Sequence, residues 1–207
     1  MSTLTQYQIF DLLNRPRPLW LVKADLSDLT LISVDLSNSN LSLANLSRTD
    51  LNYAILISCN LTKANLTLAN LFEADLTFAI LSGANLTRAN LTRANLTKCE
   101  LSEAILVEAN LSRANLSKSN LQRANMNTAV LTRADLSKSN CSGANLNHTN
   151  LQRANLFEAD LSNASLREAD LRWADLTAAN LRGADLTNAN LEGADLTDTI
   201  LPEFVIK

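Results

Sequence analysis

From Leu26 to Leu201 every fifth residue of this chain is leucine, with Met126 and Cys141 as the exceptions, and no insertion or deletion breaks the register. A period of five excludes the common regular structures. On an α-helix five residues advance about 500°, so the leucines would wander round the cylinder without forming a stripe. In a simple strand each five-residue step would flip leucine to the opposite face. A coiled coil needs a spacing of about 3.5 residues.

The pattern is satisfied if each pentapeptide is a short extended piece followed by a corner. A small residue, usually alanine, stands two before each leucine, and Asn or Asp usually lies between them, as in Ala84-Asn85-Leu86-Thr87-Arg88. Residues two apart in extended chain point to the same side. Ala84 and Leu86 therefore face inward, Asn85 faces out, and Thr87 and Arg88 make the corner. Repetition winds the chain into a solenoid with a Leu and Ala interior. Each coil leaves a row of unpaired backbone groups that the next coil satisfies about 4.8 Å away. One unit buries nothing by itself; stacking creates the core.

The string A(D/N)LXX resembles the pentapeptide-repeat family. It stands here as Ala64-Asn65-Leu66-Thr67-Leu68, Ala74-Asp75-Leu76-Thr77-Phe78 and Ala94-Asn95-Leu96-Thr97-Lys98, and the resemblance covers residues 24–201. It departs from the pattern near the start, where Leu29, Val34, Ser39 and Thr49 occupy alanine positions. The resemblance implies an all-β fold, a right-handed quadrilateral β-helix with four pentapeptides per coil. The 36 pentapeptides would then make nine coils, a rod about 43 Å long. The expected organisation is an N-terminal helical cap over 1–18, a β-helix over 19–201 and a tail over 202–207.

Both ends of such a stack need covers. Residues 3–14 read as a short amphipathic helix, capped by Thr3 or Thr5, with Leu4, Ile9, Leu12 and Leu13 on one face and Pro16 and Pro18 ending it. Its expected role is to shield the first coil; a partner-binding helix is the alternative. At the other end Pro202 breaks the register and Phe204, Val205 and Ile206 follow. Relatives in the family dimerise through an end of the tube, so a homodimer of that kind is one expectation.

The start of the chain lacks the basic and apolar stretches of a signal peptide, and no apolar run is long enough for a bilayer span. A soluble, cytoplasmic protein is expected. Cys59 and Cys99 take alanine positions and Cys141 a leucine position. They fall on one face two coils apart, about 9–10 Å, which is too far for a disulfide. They read as small buried hydrophobes. His148 stands at a corner without a ligand cluster, so no metal site or cofactor is expected.

With a uniform interior, function must come from the outward positions. Residues 1–85 carry net charge −2, residues 86–155 +5 and residues 156–207 −6. In the middle region Arg93, Arg113, Arg133 and Arg153 are spaced by twenty, with Trp173 next in line. Four pentapeptides per coil would stack them in one column. Lys98, Lys118 and Lys138 would form a second column on the adjacent face. Together they form a candidate anion-binding strip; a solvated face built from LTRAN-like units is the plainer alternative. The first third instead gathers outward apolar residues: Ile32, Leu43, Tyr53, Ile55, Ile57, Leu68, Phe72, Phe78 and Ile80. Seven of these, Tyr53, Ile55, Ile57, Leu68, Phe72, Phe78 and Ile80, form a candidate apolar interface, unless the N-terminal segment packs on them. Ile55, Ile80, Ile105 and Val130 replace Asn or Asp at intervals of twenty-five. They read as a trace of duplication that spirals round the rod.

An enzyme is the weakest class, because polar groups on a convex rod do not converge in a concave, partly dry site. The family suggests a DNA-mimic inhibitor of DNA gyrase, but the basic middle does not match a duplex. An ice-binding rod lacks an array of paired threonines. A non-catalytic scaffold that binds a protein or another macromolecule fits best, with nucleic acid on the basic strip as a variant.

Overall fold

The computed structural model describes Asp11, Asn14 and residues 16–202. The expected N-terminal helix over 3–14 and the tail beyond Pro202 lie outside the described residues, apart from isolated positions. Everything between is one uninterrupted winding.

Each residue preceding a core leucine pairs in parallel with the residue twenty positions on, from Trp20↔Asn40 through Asn180↔Ile200. A constant offset of twenty means four five-residue sides per turn. Each side contributes a single bridging residue to its ladder, so the four parallel sheets consist of bridges rather than long strands. The corners lie at the second residue after each leucine. All 36 of them, from Lys23 to Asp198, have positive φ, and only Gly83, Gly143, Gly183 and Gly193 are glycine. A positive φ at the second central position alone marks a type II turn. The turn is closed by the next alanine, as in Ala89 N–H to Leu86 carbonyl at 3.0 Å. The left-handed region costs a non-glycine residue about 1–2 kcal/mol. Stacking on both neighbours holds these corners in it.

A full account of the five N–H groups of one pentapeptide explains the Asn/Asp position. Asn85 N–H donates down to Ala64 (2.9 Å), Leu86 N–H donates up to Ile105 (2.7 Å), Arg88 N–H donates up to Val107 (2.9 Å) and Ala89 N–H closes the turn. One N–H remains, that of Thr87, and it donates to Asn85 Oδ1 at 3.0 Å. Where Asn or Asp precedes the leucine, its side chain thus supplies the acceptor that the backbone cannot. The Thr87 hydroxyl donates to the same oxygen at 2.6 Å, which accounts for the frequent Ser or Thr there. Between coils the amides form ladders, such as Asn65 Nδ2 to Asn45 Oδ1 at 3.1 Å and Asn45 Nδ2 to Asp25 Oδ1 at 3.0 Å.

The interior is one continuous Leu/Ala column from Leu19 to Ala184. Polar intruders at alanine positions are buried and bonded: Thr49 Oγ1 donates to the Leu26 carbonyl in the coil below at 2.7 Å, and Thr149 Oγ1 to Leu146 in its own turn at 2.6 Å. Cys59, Cys99 and Cys141 are buried, unbridged thiols. Burial pushes them up to about 11, 12 and 11 respectively. The first coil is the less regular one expected from its sequence. Leu29 and Val34 are only partly buried, and among the described residues no turn bond joins Leu29 N–H to Leu26. At the far end Leu186, Leu191 and Leu196 are also only partly buried. Their N–H groups have no backbone acceptor among the described residues. No helix is long and apolar enough to cross a membrane among the described residues.

Candidate functional site

The offset of twenty makes vertical neighbours of the residues in each predicted column. Arg93, Arg113, Arg133 and Arg153 occupy successive positive-φ corners of one edge of the rod, and Lys98, Lys118 and Lys138 those of the next. The sheet between the two edges carries Asn95, Asn115, Asp135 and Asn155, bridged coil to coil. Arginines in the Arg column stand about 4.8 Å apart from coil to coil. With Ser112, Thr132 and Gln152 on the preceding column, Arg113, Arg133 and Arg153 line an open groove of about 380 Å³. Hydroxyl, hydroxyl and amide thus run beside a row of guanidinium groups.

Each basic column is ion-paired at one end, against an aromatic ring at the other, and bare in the middle. Arg93 Nη1 reaches Glu73 Oε1 in the coil below at 2.9 Å. At the upper end of the Arg column the Arg153 guanidinium lies 5.4 Å from the Trp173 ring centre. In the Lys column Lys98 Nζ sits 5.0 Å from the Phe78 ring centre, while Lys138 Nζ is 3.5 Å from Glu158 Oε2 and 5.7 Å from the Phe157 ring centre. Arg113, Lys118 and Arg133 have no ion pair or ring contact among the described residues. The acidic group nearest them along the sheet is Asp135, whose Oδ1 accepts from Ser137 N–H and Asn155 Nδ2.

The top of the Arg column is built around a missing side chain. A Cβ at Gly193 would lie 2.5 Å from Trp173 Cδ1 and 2.8 Å from its Nε1. The indole therefore lies over Gly193 from below, while Arg153 and Arg172 sit 5.4 and 5.6 Å from its centre. Arg172 is itself held by Asp170 at 2.7 Å. Bonds from Arg172 and Gln152 hold the Asp170 carboxyl down to about 2. Sequence reasoning put Trp173 at the head of the column but missed Gly193 as its seat. A glycine twenty residues after a tryptophan was the available signal.

Below the basic strip Glu73 closes the Arg edge, and apolar side chains gather around it, with Phe78 on the Lys edge and Tyr53 one coil further down the Arg edge. Tyr53 and Phe72 meet edge to face, ring centres 5.6 Å apart. Ile55, Ile57 and Phe78 continue across the adjoining side, and Ile80 lies just round the next corner. Tyr53 and Phe78 are each 50% exposed, too open to serve the core. Of the seven residues in the candidate interface, Leu68 stands one corner earlier in the winding and is only a flank. Leu43 lies on a corner of another side. His148 pairs with Glu168 at 3.3 Å, and no group of metal-binding side chains occurs among the described residues.

The family description Pentapeptide repeats matches eight copies, over residues 24–67, 69–106, 94–133, 109–140, 134–172 and 164–201. HetL, a pentapeptide repeat protein involved in heterocyst differentiation regulation from the cyanobacterium Nostoc sp. strain PCC 7120, has a solved structure that is similar over 100% of both chains, with 34% identity and a TM-score of 0.51. The protein alr5209, also a Nostoc PCC 7120 pentapeptide repeat protein, is 41% identical over 46% of this chain and 75% of its own, with a TM-score of 0.29. QnrB1, a plasmid-mediated fluoroquinolone resistance protein, is 21% identical over 90% of this chain and 91% of its own, at a TM-score of 0.39. Among curated proteins none matches the sequence. The register of twenty, the A(D/N)LXX string and the family match over nearly all of the winding lead to one conclusion: the chain belongs to the pentapeptide repeat family.

Proposed function

We propose that this protein is a non-catalytic binding rod, a rigid scaffold that presents sorted columns of side chains to a macromolecular partner in a regulatory assembly. The observation that carries the reading is the sorting itself. Cations collect on two adjacent edges, remain unpaired at Arg113, Lys118 and Arg133, and border an exposed aromatic and aliphatic cluster on the same edges. Like charges stacked about 4.8 Å apart repel, so the strip does not serve stability. The full-length similarity to HetL, whose role is regulatory, supports the same class. Acid–base or nucleophilic chemistry would need converging groups in a shielded cleft, and these outward columns diverge. Buried thiols suit a reducing, cytoplasmic setting. A duplex-mimicking gyrase inhibitor is disfavoured because carboxylates dominate only the last third of the chain.

The test is affinity capture from native lysate with three baits. They are the native chain, Arg113→Glu/Arg133→Glu, and Tyr53→Ser/Phe78→Ser, each checked for an unchanged circular dichroism spectrum. A discrete partner held by the native bait and lost by at least one folded variant is the expected result. Identical recoveries from all three baits would remove the exterior patches from the function.

A further inference from the structure

Taking the rod to be a binding module, we infer that its Arg–Lys face is a docking site for an acidic protein segment with apolar anchors at one end. The anchors seat on Tyr53, Phe72 and Phe78, and the carboxylates lie over Arg113, Lys118 and Arg133. The proposal rests on the binding-rod reading and adds the partner's chemistry and direction to it.

Three observations select a protein segment over nucleic acid. The first is length. From Arg93 to Arg153 the cationic column spans three coil steps, about 14 Å. Above it the same face turns acidic at Glu158, Asp175, Glu192, Asp195 and Asp198. A long polyanion lying along the rod would run from the strip into like charge. One crossing it would meet few cations, whereas nucleic-acid affinity grows with each phosphate neutralised. The second is the aromatic side chains. Single-strand binding relies on open rings on which bases stack. Here Lys98 lies over one face of Phe78, Lys138 lies over Phe157, and Trp173 is taken up by Arg153, Arg172 and Gly193, so no ring beside the cations is free on both faces, while the 50% exposure of Phe78 still offers apolar surface to an anchor. The third is continuity. The apolar cluster begins one coil below Arg93 and Lys98, where Phe72 and Phe78 flank the Glu73 that Arg93 neutralises, and a partner that used only charge would leave it exposed to water.

The geometry also fixes the size of the occupant. From the coil of Tyr53 to that of Arg133 is four coil steps, about 19 Å. An extended segment of about six residues covers that distance, or a helix of roughly thirteen. Within the groove the Thr132 hydroxyl adds a hydrogen-bond donor beside the guanidinium groups, whereas Ser112 Oγ already donates to Asn110 Oδ1 at 2.6 Å and Gln152 Nε2 to Asp170 Oδ2 at 2.5 Å. A carboxylate over Arg133 therefore meets a charged donor and the neutral Thr132 donor together, a pairing stronger than a neutral bond. The chain's own first fifteen residues do not match this occupant, since they contain one carboxylate, Asp11, and one arginine, Arg15.

The experiment measures binding of labelled synthetic peptides to the full chain by fluorescence anisotropy at several salt concentrations. One peptide joins a run of glutamates to a short Leu/Phe end, a second carries glutamates alone, and a single-stranded oligothymidylate serves as the third probe. The two-part peptide is expected to bind most tightly. Arg113→Glu/Arg133→Glu should weaken it about tenfold or more, a loss typical of an interfacial charge pair. Tyr53→Ser/Phe78→Ser should weaken the two-part peptide but leave the all-glutamate peptide unchanged. Lys63→Glu/Arg123→Glu, which makes the same charge change on another edge, should leave all binding within about twofold.

Oligothymidylate binding as tightly as the two-part peptide, or equal losses from the off-site reversal, overturns the proposal. So does absence of peptide binding at millimolar concentration. Concentration-dependent dimerisation in sedimentation velocity that the Arg113/Arg133 reversal abolishes would assign the face to a second copy instead. If peptides fail while a captured partner is still lost on mutation, the acidic-segment proposal falls and the binding-rod reading stands; if both assays are negative, both fall.

Discussion

Gly193 is predicted to be required by Trp173 rather than by its own turn. Its φ of +68° resembles that of the other corners, where non-glycine residues adopt +52° to +60°. In a Trp173→Ala background, Gly193→Ala therefore carries only the left-handed strain of about 1–2 kcal/mol. A gain of about 0.4–1 kcal/mol from the stiffer unfolded chain offsets part of it. The net loss there is roughly 0.5–1 kcal/mol. With tryptophan present, the new methyl would enter a space 2.5 Å from Cδ1 and force the ring off its seat. Overpacking of this kind costs about 1–3 kcal/mol, and the 48% exposed indole can swing outward, which places the added cost near the low end.

The coupling between the two sites should thus be about 1 kcal/mol, above the scatter of about 0.3–0.5 kcal/mol found for independent positions. End coils of a solenoid open locally, so the assay is amide exchange by NMR at Asp185, Asn190, Asp195 and Ile200, whose N–H groups bond to the coil below. Protection in the native background should fall about fivefold further than in the Trp173→Ala background. Tryptophan emission should shift at the same time. Equal losses of protection in both backgrounds would show that the indole does not depend on the glycine and would refute the argument.

Two further predictions follow from single bonds. Thr49→Val removes the hydroxyl donor to the buried Leu26 carbonyl, which has no turn N–H to replace it, whereas Thr149→Val leaves Leu146 bonded to the Thr149 amide at 3.3 Å. The first substitution should cost about 1–3 kcal/mol and the second under about 1 kcal/mol; equal midpoints in thermal unfolding would contradict the bond assignment. Asp170 is held at about 2, first by Arg172 and then by Gln152, below the unfolded value of about 3.9. Its stabilising contribution is present above the unfolded value and disappears as pH falls through the folded one. The melting temperature of Asp170→Asn should lie below that of the native chain at pH 7, and the difference should close towards pH 2. A gap that stays constant with pH would rule out an ionised Asp170 as its source.

The winding was legible because Leu, Ala and Asn/Asp each answer a backbone or packing demand that recurs without interruption. The leucine spacing fixed which residues face inward, and the offset of twenty placed the Arg and Lys columns in the register in which they stand. The pairings within those columns were harder to read. Whether Arg93 turns down to Glu73 or up to Arg113 depends on side-chain rotamers, and spacing is silent about these. The apolar patch was overextended for a related reason. Leu68 belongs to the same stretch of sequence as Phe72, but four residues carry the chain round a corner. Proximity along a five-residue winding is not proximity on its surface.

The register also bears on whether the basic columns are a by-product of copied LTRAN-like units. Read as the trace of a copied twenty-five-residue block, Ile55, Ile80, Ile105 and Val130 visit all four sides in turn. Cations carried along passively by such copying would be spread over the four edges in the same way. Of the nine cations between residues 86 and 155, seven occupy two edges and only Arg88 and Arg123 occupy the others. Glutamates shun those two edges within the basic stretch and appear at its margins, as Glu73 and Glu158, where each closes a column. In the other two columns Glu103 and Glu108 interrupt the cations. Charge is therefore sorted at a period of twenty, the period of the folded coil, against a copying period of twenty-five. A sorting that follows the folded period and adds repulsion needs a cause at the surface, and a partner with complementary charge supplies one.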